Sequence, residues 1–362
     1  MKVSKIKNPN SINNQIINQM AIMGHEQIVF CSDSKTNLKA IIAIHSTVLG
    51  PALGGTRMWN YDSESQALND VLRLSRGMTL KASISGLNLG GGKAVIIGDL
   101  KKIKTDELMK SFGRFVDTLK GSYITAEDVG ITTHDMEMVK SETPYVTGIP
   151  THLGGSGDPS PVTAYGVYMG MKASAKYKWG SDNLNGKKIV IQGVGKVGLN
   201  LIKYLKQEKS DIYINDLNDD ILKETSRKYN VKIIDCNKLY DFEMDIYAPC
   251  ALGATINDFT IDKLKCKIIA GAANNQLADE NRHGQMLFER DILYAPDFLI
   301  NAGGLINVYS ELNGYNQKEA LSKTTEIYKT TLEIFNKSEL EKITPYQAAM
   351  NIAQNRVESN IK

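Results

Sequence analysis

The sequence predicts an α/β protein of two domains, one of them a doubly wound parallel sheet built around a dinucleotide turn. Three observations carry this. The 362 residues suffice for about two ordinary domains. Past residue 180, short apolar runs alternate with helix-forming stretches, the pattern of a parallel sheet wrapped by helices. One of those runs leads into Gly193-Val194-Gly195-Lys196-Val197-Gly198 and then into a helical segment, the context a G-x-G-x-x-G motif needs to be informative.

Taken in order, residues 26–33 and 38–46 run apolar with β-branched side chains and predict neighbouring strands. Ser63 and Gln66 have capping-box spacing and open a helix over about 64–85, whose Ala67, Val71, Leu74 and Met78 recur every three or four residues. A strand at 93–98 and a helix from about Thr105 to Lys120 follow. Residues 148–161 carry Gly148, Pro150, Gly154, Gly155, Gly157, Pro159 and Pro161, a density of breakers that marks a boundary or hinge. Strands are then expected at 188–192, 211–215, 231–234, 244–248, 267–271 and 292–295. Two amphipathic helices, 317–337 and 344–361, close the chain.

Composition narrows the function. A net charge of +3 argues against a nucleic-acid protein driven by bulk charge, and segments such as 100–104 read as solvated faces. The four cysteines (Cys31, Cys236, Cys250, Cys266) fall at no metal or redox spacing, so neither a metal site nor a disulfide framework is expected. The Asn- and Lys-rich N-terminus lacks a leader's apolar core, and no apolar run is long enough to span a bilayer. A cytoplasmic protein without membrane or nucleic-acid partners is the expectation.

Five motifs can carry chemistry. In the first, Gly193 permits the tight turn, Gly195 lets backbone N–H groups approach a pyrophosphate at the helix start, and Gly198 allows close packing on the sheet. Asp216, at the end of the next strand, suits a ribose diol and repels a 2′-phosphate, which favours NAD over NADP. The second runs from Lys81 to Lys93 through Gly90-Gly91-Gly92. Two ammonium groups sharing a cleft would lower a lysine pKa toward that of a useful base; as isolated surface groups they would do nothing. The third, Gly50 to Arg57, reads as a rigid loop, with Arg57 a surface charge. In the fourth, Thr125 to Gly130, a carboxylate pair stands at a strand end, although Asp128 alone would serve equally as the cap of a helix starting near Thr132. The fifth, Asn301 to Asn307, reads as a helix opening with two packing glycines.

These motifs in this order resemble the glutamate/leucine/phenylalanine/valine dehydrogenases, most closely the branch acting on leucine. The carrying segments are GPALGGTRM (50–58), GMTLKASISGLNLGGGKAVIIGD (77–99), TAEDVG (125–130), GSGDPSPVTAYGV (155–167), QGVGKVG (192–198), APCALGA (248–254), AGAANNQL (270–277) and INAGGLINV (300–308). The resemblance implies NAD-dependent oxidative deamination of an L-branched-chain amino acid to a 2-oxo acid and ammonia, and the reverse. It implies that Lys81 binds the α-carboxylate with the Gly54-Gly55 backbone, that Lys93 activates water, and that Asp128 moves protons to and from the amino nitrogen. Thr163 and Asn275 would orient the nicotinamide carboxamide; Cys250 and Ala251 would flank the cofactor beside Gly193, Val194, Gly195, Lys196, Val197 and Gly198.

The glutamate enzymes carry a lysine where this chain has Leu53, and a serine where it has Val308, so an apolar substrate side chain is expected. Leu305 replaces a valine usual in the leucine enzymes and would trim the pocket toward smaller side chains. The implied division is a substrate-binding and oligomerisation domain over 1–148, an NAD-binding domain over 149–334, and a C-terminal helix (335–362) returning to the first. A homo-oligomer is implied, an octamer, with a dimer as the alternative. The competing readings are an aromatic amino-acid dehydrogenase and a silent NAD-binding relative. Loss of Lys81, Lys93 or Asp128 would mark the latter, and all three are present.

Overall fold

The computed structural model describes residues 16–361; the Asn- and Lys-rich run read above for a leader lies outside them. The first sheet comprises β1 (Gln27–Asp33), β2 (Leu38–Ser46), β3 (Ala52–Trp59), β4 (Gly90–Ile97) and β5 (Tyr123–Glu127) in the order β1-β2-β4-β3-β5. The expected neighbours pair as an antiparallel hairpin, Gln27 opposite Ile44 and Asp33 opposite Leu38, and β2 pairs antiparallel with β4. β4, β3 and β5 run parallel. Successive residues of β2 serve opposite faces, as a pleated strand requires. Ala40, Ile42 and Ile44 join Phe112, Met109 and Val116 of the helix Asp106–Thr118. Ile41 and Ala43 join Ala67, Val71 and Leu72 of the helix Glu64–Ile84. Burial on both faces explains why β2 reads as a continuous apolar run rather than an alternating one.

Ser63 Oγ accepts the Gln66 N–H at 3.1 Å, while Gln66 Oε1 accepts the Asp62 N–H at 2.7 Å. The capping-box residues thus work as expected, displaced by one residue on the return bond.

The segment Gly50 to Arg57 is not a loop. Only Gly50 and Pro51 turn; Ala52–Trp59 is β3, the strand between β4 and β5. The glycine pair that suggested a loop sits inside the strand. A Cβ on Gly54 would fall 1.7 Å from the Gly92 carbonyl oxygen, and one on Gly55 would fall 2.4 Å from that of Glu127. Glycine here serves close strand approach, and pairing to β4 skips both positions between Leu53 and Thr56.

The second sheet has six parallel strands, β6 (Lys188–Gln192), β7 (Asp211–Asn215), β8 (Lys232–Ile233), β9 (Ile246–Pro249), β10 (Ile268–Ile269) and β11 (Leu293–Tyr294), ordered β11-β10-β9-β6-β7-β8. All six expected strands are present, several of them shortened. β6 lies between β7 and β9, so the strand order reverses beside it, which is where doubly wound sheets open a ligand crevice. The Gly/Pro-rich segment leads into the helix Ser160–Trp179, and a Cβ on Gly170 would meet Ile300 Cγ2 at 2.4 Å.

The closing helices are Gln317–Glu341, ended by Lys342 at φ +54°, and Pro345–Glu358. The chain forms two compact units: the described residues through Leu80 with Asn88–Ile149, and Lys81–Leu87 with residues from Pro150 onward. The final helix belongs to the second, where Arg356 donates to the carbonyls of Ser83 (3.0 Å) and Leu87 (2.8 Å). Among the described residues no helix is long and apolar enough to cross a membrane.

Candidate active site

In the first unit, Lys93 lies on β4 and is 6% exposed; Asp128 follows the end of β5. Lys93 Nζ stands 2.6 Å from Asp128 Oδ2. Gly55 of the intervening strand makes this possible, since a Cβ there would come within 3.0 Å of the Asp128 Cβ. Burial lowers the Lys93 pKa, and Asp128 opposes the shift only in part. For Asp128 burial pushes upward, but Lys93, Arg57 and the Val129 N–H together hold the carboxyl below its usual range. The pair thus combines a buried amine of weakened basicity with a carboxylate kept ionised. That division of roles suits general base and proton-transfer chemistry.

Asp128 is not a helix cap. Thr132 caps the helix Thr133–Lys140 in a reciprocal box with Asp135, which leaves Asp128 to Lys93. Nor is Arg57 a surface charge: its side chain is 24% exposed, and it bridges Asp128 (3.2 Å) and Asp70 (3.0 Å). Neither Arg57 nor Asp70 stood out as a site residue in the sequence. The available signal was position: once the segment is a strand, Arg57 has to lie on a sheet face. Leu53, on the same strand, is 2% exposed.

In the second unit the glycine turn leaves β6. Gly193 has φ +100°, and a Cβ on it would strike Ala251 Cβ at 2.7 Å; one on Gly198 would meet the Gly193 carbonyl oxygen at 2.2 Å. Local packing requires both glycines. Gly195 is different, because a Cβ there meets nothing within 4 Å. It precedes the helix Lys196–Gln207, whose N-terminus has no side-chain cap. Open space over uncapped helical N–H groups is what an incoming phosphate needs.

Asp216 closes the turn, its Oδ2 accepting the Val194 N–H at 2.8 Å and its Oδ1 the Asn218 N–H at 3.0 Å. Cys250 N donates to the Gln192 carbonyl at 2.7 Å, which sets Cys250 and Ala251 beside Gly193; burial pushes the Cys250 thiol up to about 12. These residues fit a dinucleotide: a phosphate position, an acidic group at the end of β7, and close backbone around them.

Lys81 also belongs to the second unit, with Nζ 2.6 Å from Asn301 Oδ1. Asn301 Nδ2 donates in turn to Asn274 Oδ1 at 2.7 Å and to the Ala272 carbonyl at 3.2 Å. Asn301 thus joins Lys81 to the 270–277 segment, a link that the fifth motif did not announce. Neighbouring Asn275 is exposed, at φ +51°. Thr163 Oγ1 donates to the Pro159 carbonyl at 3.1 Å, and a Cβ on Gly304 would sit 3.0 Å from it. The fifth motif opens the helix Gly303–Tyr309, on which Leu305 is 6% exposed and Val308 half-buried.

Fold and site together define a two-unit α/β protein with a dinucleotide turn in one unit and a buried lysine–carboxylate centre in the other. The chain matches the family description "Glu/Leu/Phe/Val dehydrogenase, dimerisation domain" over residues 25–145. It matches "Glutamate/Leucine/Phenylalanine/Valine dehydrogenase" over 154–218 and 213–362. It is 52% identical to a leucine dehydrogenase of Bacillus subtilis (strain 168) over 344 residues, 95% of this chain and 94% of that one. It is likewise 52% identical to that of Thermoactinomyces intermedius, with the same coverage. The crystal structure of L-tryptophan dehydrogenase from Nostoc punctiforme superposes with a TM-score of 0.86 at 43% identity, covering 95% of this chain and 98% of that one. The chain belongs to the glutamate/leucine/phenylalanine/valine dehydrogenase family.

Proposed function

We propose that this protein is an NAD-dependent dehydrogenase that oxidatively deaminates L-branched-chain amino acids (leucine, valine or isoleucine) to the 2-oxo acid and ammonia, and runs the reverse amination. The observation that carries the reading is the buried contact of Lys93 with Asp128 at 2.6 Å. Bound NAD supplies the hydride acceptor; the remaining chemistry falls to the protein. Lys81 pairs with the substrate α-carboxylate. Lys93, its basicity weakened by burial, takes a proton from the water that attacks the substrate iminium carbon. Asp128, a carboxylate at the outset, accepts that proton from Lys93 and delivers it to the amino nitrogen; Lys93, neutral again, takes the hydroxyl proton as ammonia leaves. Thr163 and Asn275 orient the nicotinamide carboxamide, and Gly193 to Gly198, Asp216, Cys250 and Ala251 hold the dinucleotide.

Substrate binding and self-association fall to the segment 1–148 and NAD binding to 149–334; the chain is a homo-oligomer, an octamer, acting in the cytoplasm. Neither Leu53 nor Val308 offers a counter-charge to a substrate side chain, so a second carboxylate would be costly beside either. The test is a panel of aliphatic, aromatic and acidic L-amino acids assayed for NADH and NADPH formation. Leucine, valine or isoleucine should lead, with NAD. Preference for phenylalanine or tryptophan would replace the reading with the aromatic one, and NAD binding without turnover would replace it with a silent relative. Leu305→Val on the same panel should raise kcat/KM for leucine over valine by about 3–10-fold; an unchanged ratio removes Leu305 from the specificity argument.

A further inference from the structure

Beyond the lysine and the carboxylate, the first unit holds a third charged group that the proposed mechanism leaves unused. Arg57 Nε and Lys93 Nζ approach the same oxygen of Asp128, Oδ2, at 3.2 and 2.6 Å. The far end of Arg57 is itself fixed: Nη1 stands 3.0 Å from Asp70 Oδ2, which also accepts the Tyr61 hydroxyl at 2.8 Å, while Arg73 holds Asp70 Oδ1 at 3.0 Å. Arg57, Asp70 and Asp128 are each less than a quarter exposed. Three elements meet here: β3, the helix Glu64–Ile84 and the turn after β5. We propose that Arg57, anchored by Asp70, is a positioning residue that fixes the rotamer of Asp128 and competes with Lys93 for its carboxylate. The proposal rests on the reading of Asp128 and Lys93 as the proton-handling pair.

The physical argument is competition for one acceptor. A lysine alone with a buried carboxylate forms a closed ion pair, and the ammonium is then reluctant to release its proton. A second cation on the same oxygen weakens that hold and lowers the proton affinity of both partners; Arg57 acts in this direction on Lys93 and on Asp128 alike. The groups facing this centre are Lys93 on β4, Asp70 and Arg73 on the helix, Tyr61 after β3, and buried Tyr123 on β5. Burial and Asp70 push Tyr61 above the usual phenol range, so it stays a donor to Asp70. The guanidinium keeps its charge throughout.

The experiment compares the full-length enzyme with Arg57→Met, Arg57→Lys, Asp70→Asn and Asp128→Asn, measuring kcat and KM for amino acid and NAD across pH. Cofactor binding and thermal melting serve as folding controls. For Arg57→Met, kcat should fall about 10–100-fold with both KM values within about threefold of the parent. The half-maximal pH of kcat/KM should rise by about one unit, because Lys93 must lose its proton against an uncontested carboxylate. Arg57→Lys should recover the profile in part. Asp70→Asn, which frees the far end of Arg57, should lower kcat by a smaller factor.

A folded Arg57→Met with the parent profile and kcat, or a loss confined to KM, overturns the proposal. If Arg57→Met does not fold, Arg57→Lys and Asp70→Asn decide by the same readouts: parent kcat and profile in both overturn it, and a lowered kcat at unchanged KM supports it. Parent activity in Asp128→Asn would refute the underlying reading instead, whatever the Arg57 variants do.

Discussion

Protonation of His25 and His45 should weaken the contact that these rings make with the helix Glu64–Ile84. The two rings meet edge to face with centroids 4.8 Å apart. His25 Nε2 lies 2.8 Å from Ser75 Oγ and 3.1 Å from the Leu72 carbonyl, and His45 Nδ1 lies 2.8 Å from Thr79 Oγ1. Burial, with the neighbouring His25 and Arg76 charges, depresses His45 from 6.5 to about 4; His25 is lowered mainly by burial, and its Nδ1 is buried without a partner. For a histidine whose folded pKa is depressed, the stabilisation is complete above the unfolded value and drains away as pH falls toward the folded one. Taking His45 alone, moving from about pH 7.5 to about pH 5 removes about 2 kcal/mol. The loss matters because Ser75 and Thr79 form the surface on which Gly91 rests, two residues before Lys93: a Cβ on Gly91 would sit 2.1 Å from Thr79 N and 2.6 Å from the Ser75 carbonyl oxygen.

The assay is urea unfolding of the parent and His45→Gln at both pH values and one protein concentration. The parent should lose about 2 kcal/mol more than the variant over the window. Equal losses in the two proteins would refute the reasoning.

Two further outcomes follow from the same geometry. Gly91→Ala drives a methyl group into backbone that has no room to yield, and should lower stability by about 3 kcal/mol, read as a fall in Tm; an unshifted Tm would mean that β4 can lift off the helix. Asp216→Asn weakens the acceptor of the Val194 N–H and removes the charge proposed to face the ribose. Its KM for NAD should rise about tenfold and its discrimination against NADP should fall, whereas an unchanged KM would place the ribose elsewhere.

Much of this architecture is written into the sequence because its signals are local. The glycine turn with its flanking strand and helix, the six short strands of the second sheet, and the Ser63 cap each depend on a few adjacent residues. β3 escaped because its defining feature is not local. Gly54 and Gly55 mimic a loop in sequence, and only the proximity of Gly92 and Glu127 shows why they sit inside a strand. Arg57 follows the same logic, since a charge on a loop is solvated, whereas the same charge on a sheet face needs partners such as Asp70 and Asp128. The caps of Thr132 and Asp128 could not be separated by composition either. Both residues can cap, and the choice was made by Asp135, three positions beyond Thr132.

The glycine pair of β3 bears on how such a centre can diverge. Between the strand that carries Lys93 and the one that ends at Asp128, the sheet presents bare main chain, and neither Gly54 nor Gly55 has room for even a methyl group. Mutation therefore has almost nothing to explore there. On the proposed reading, substrate preference has to change at positions that bear side chains, of which Leu53 is the adjacent one. On that reading, what the site accepts and how it handles protons rest on separate positions.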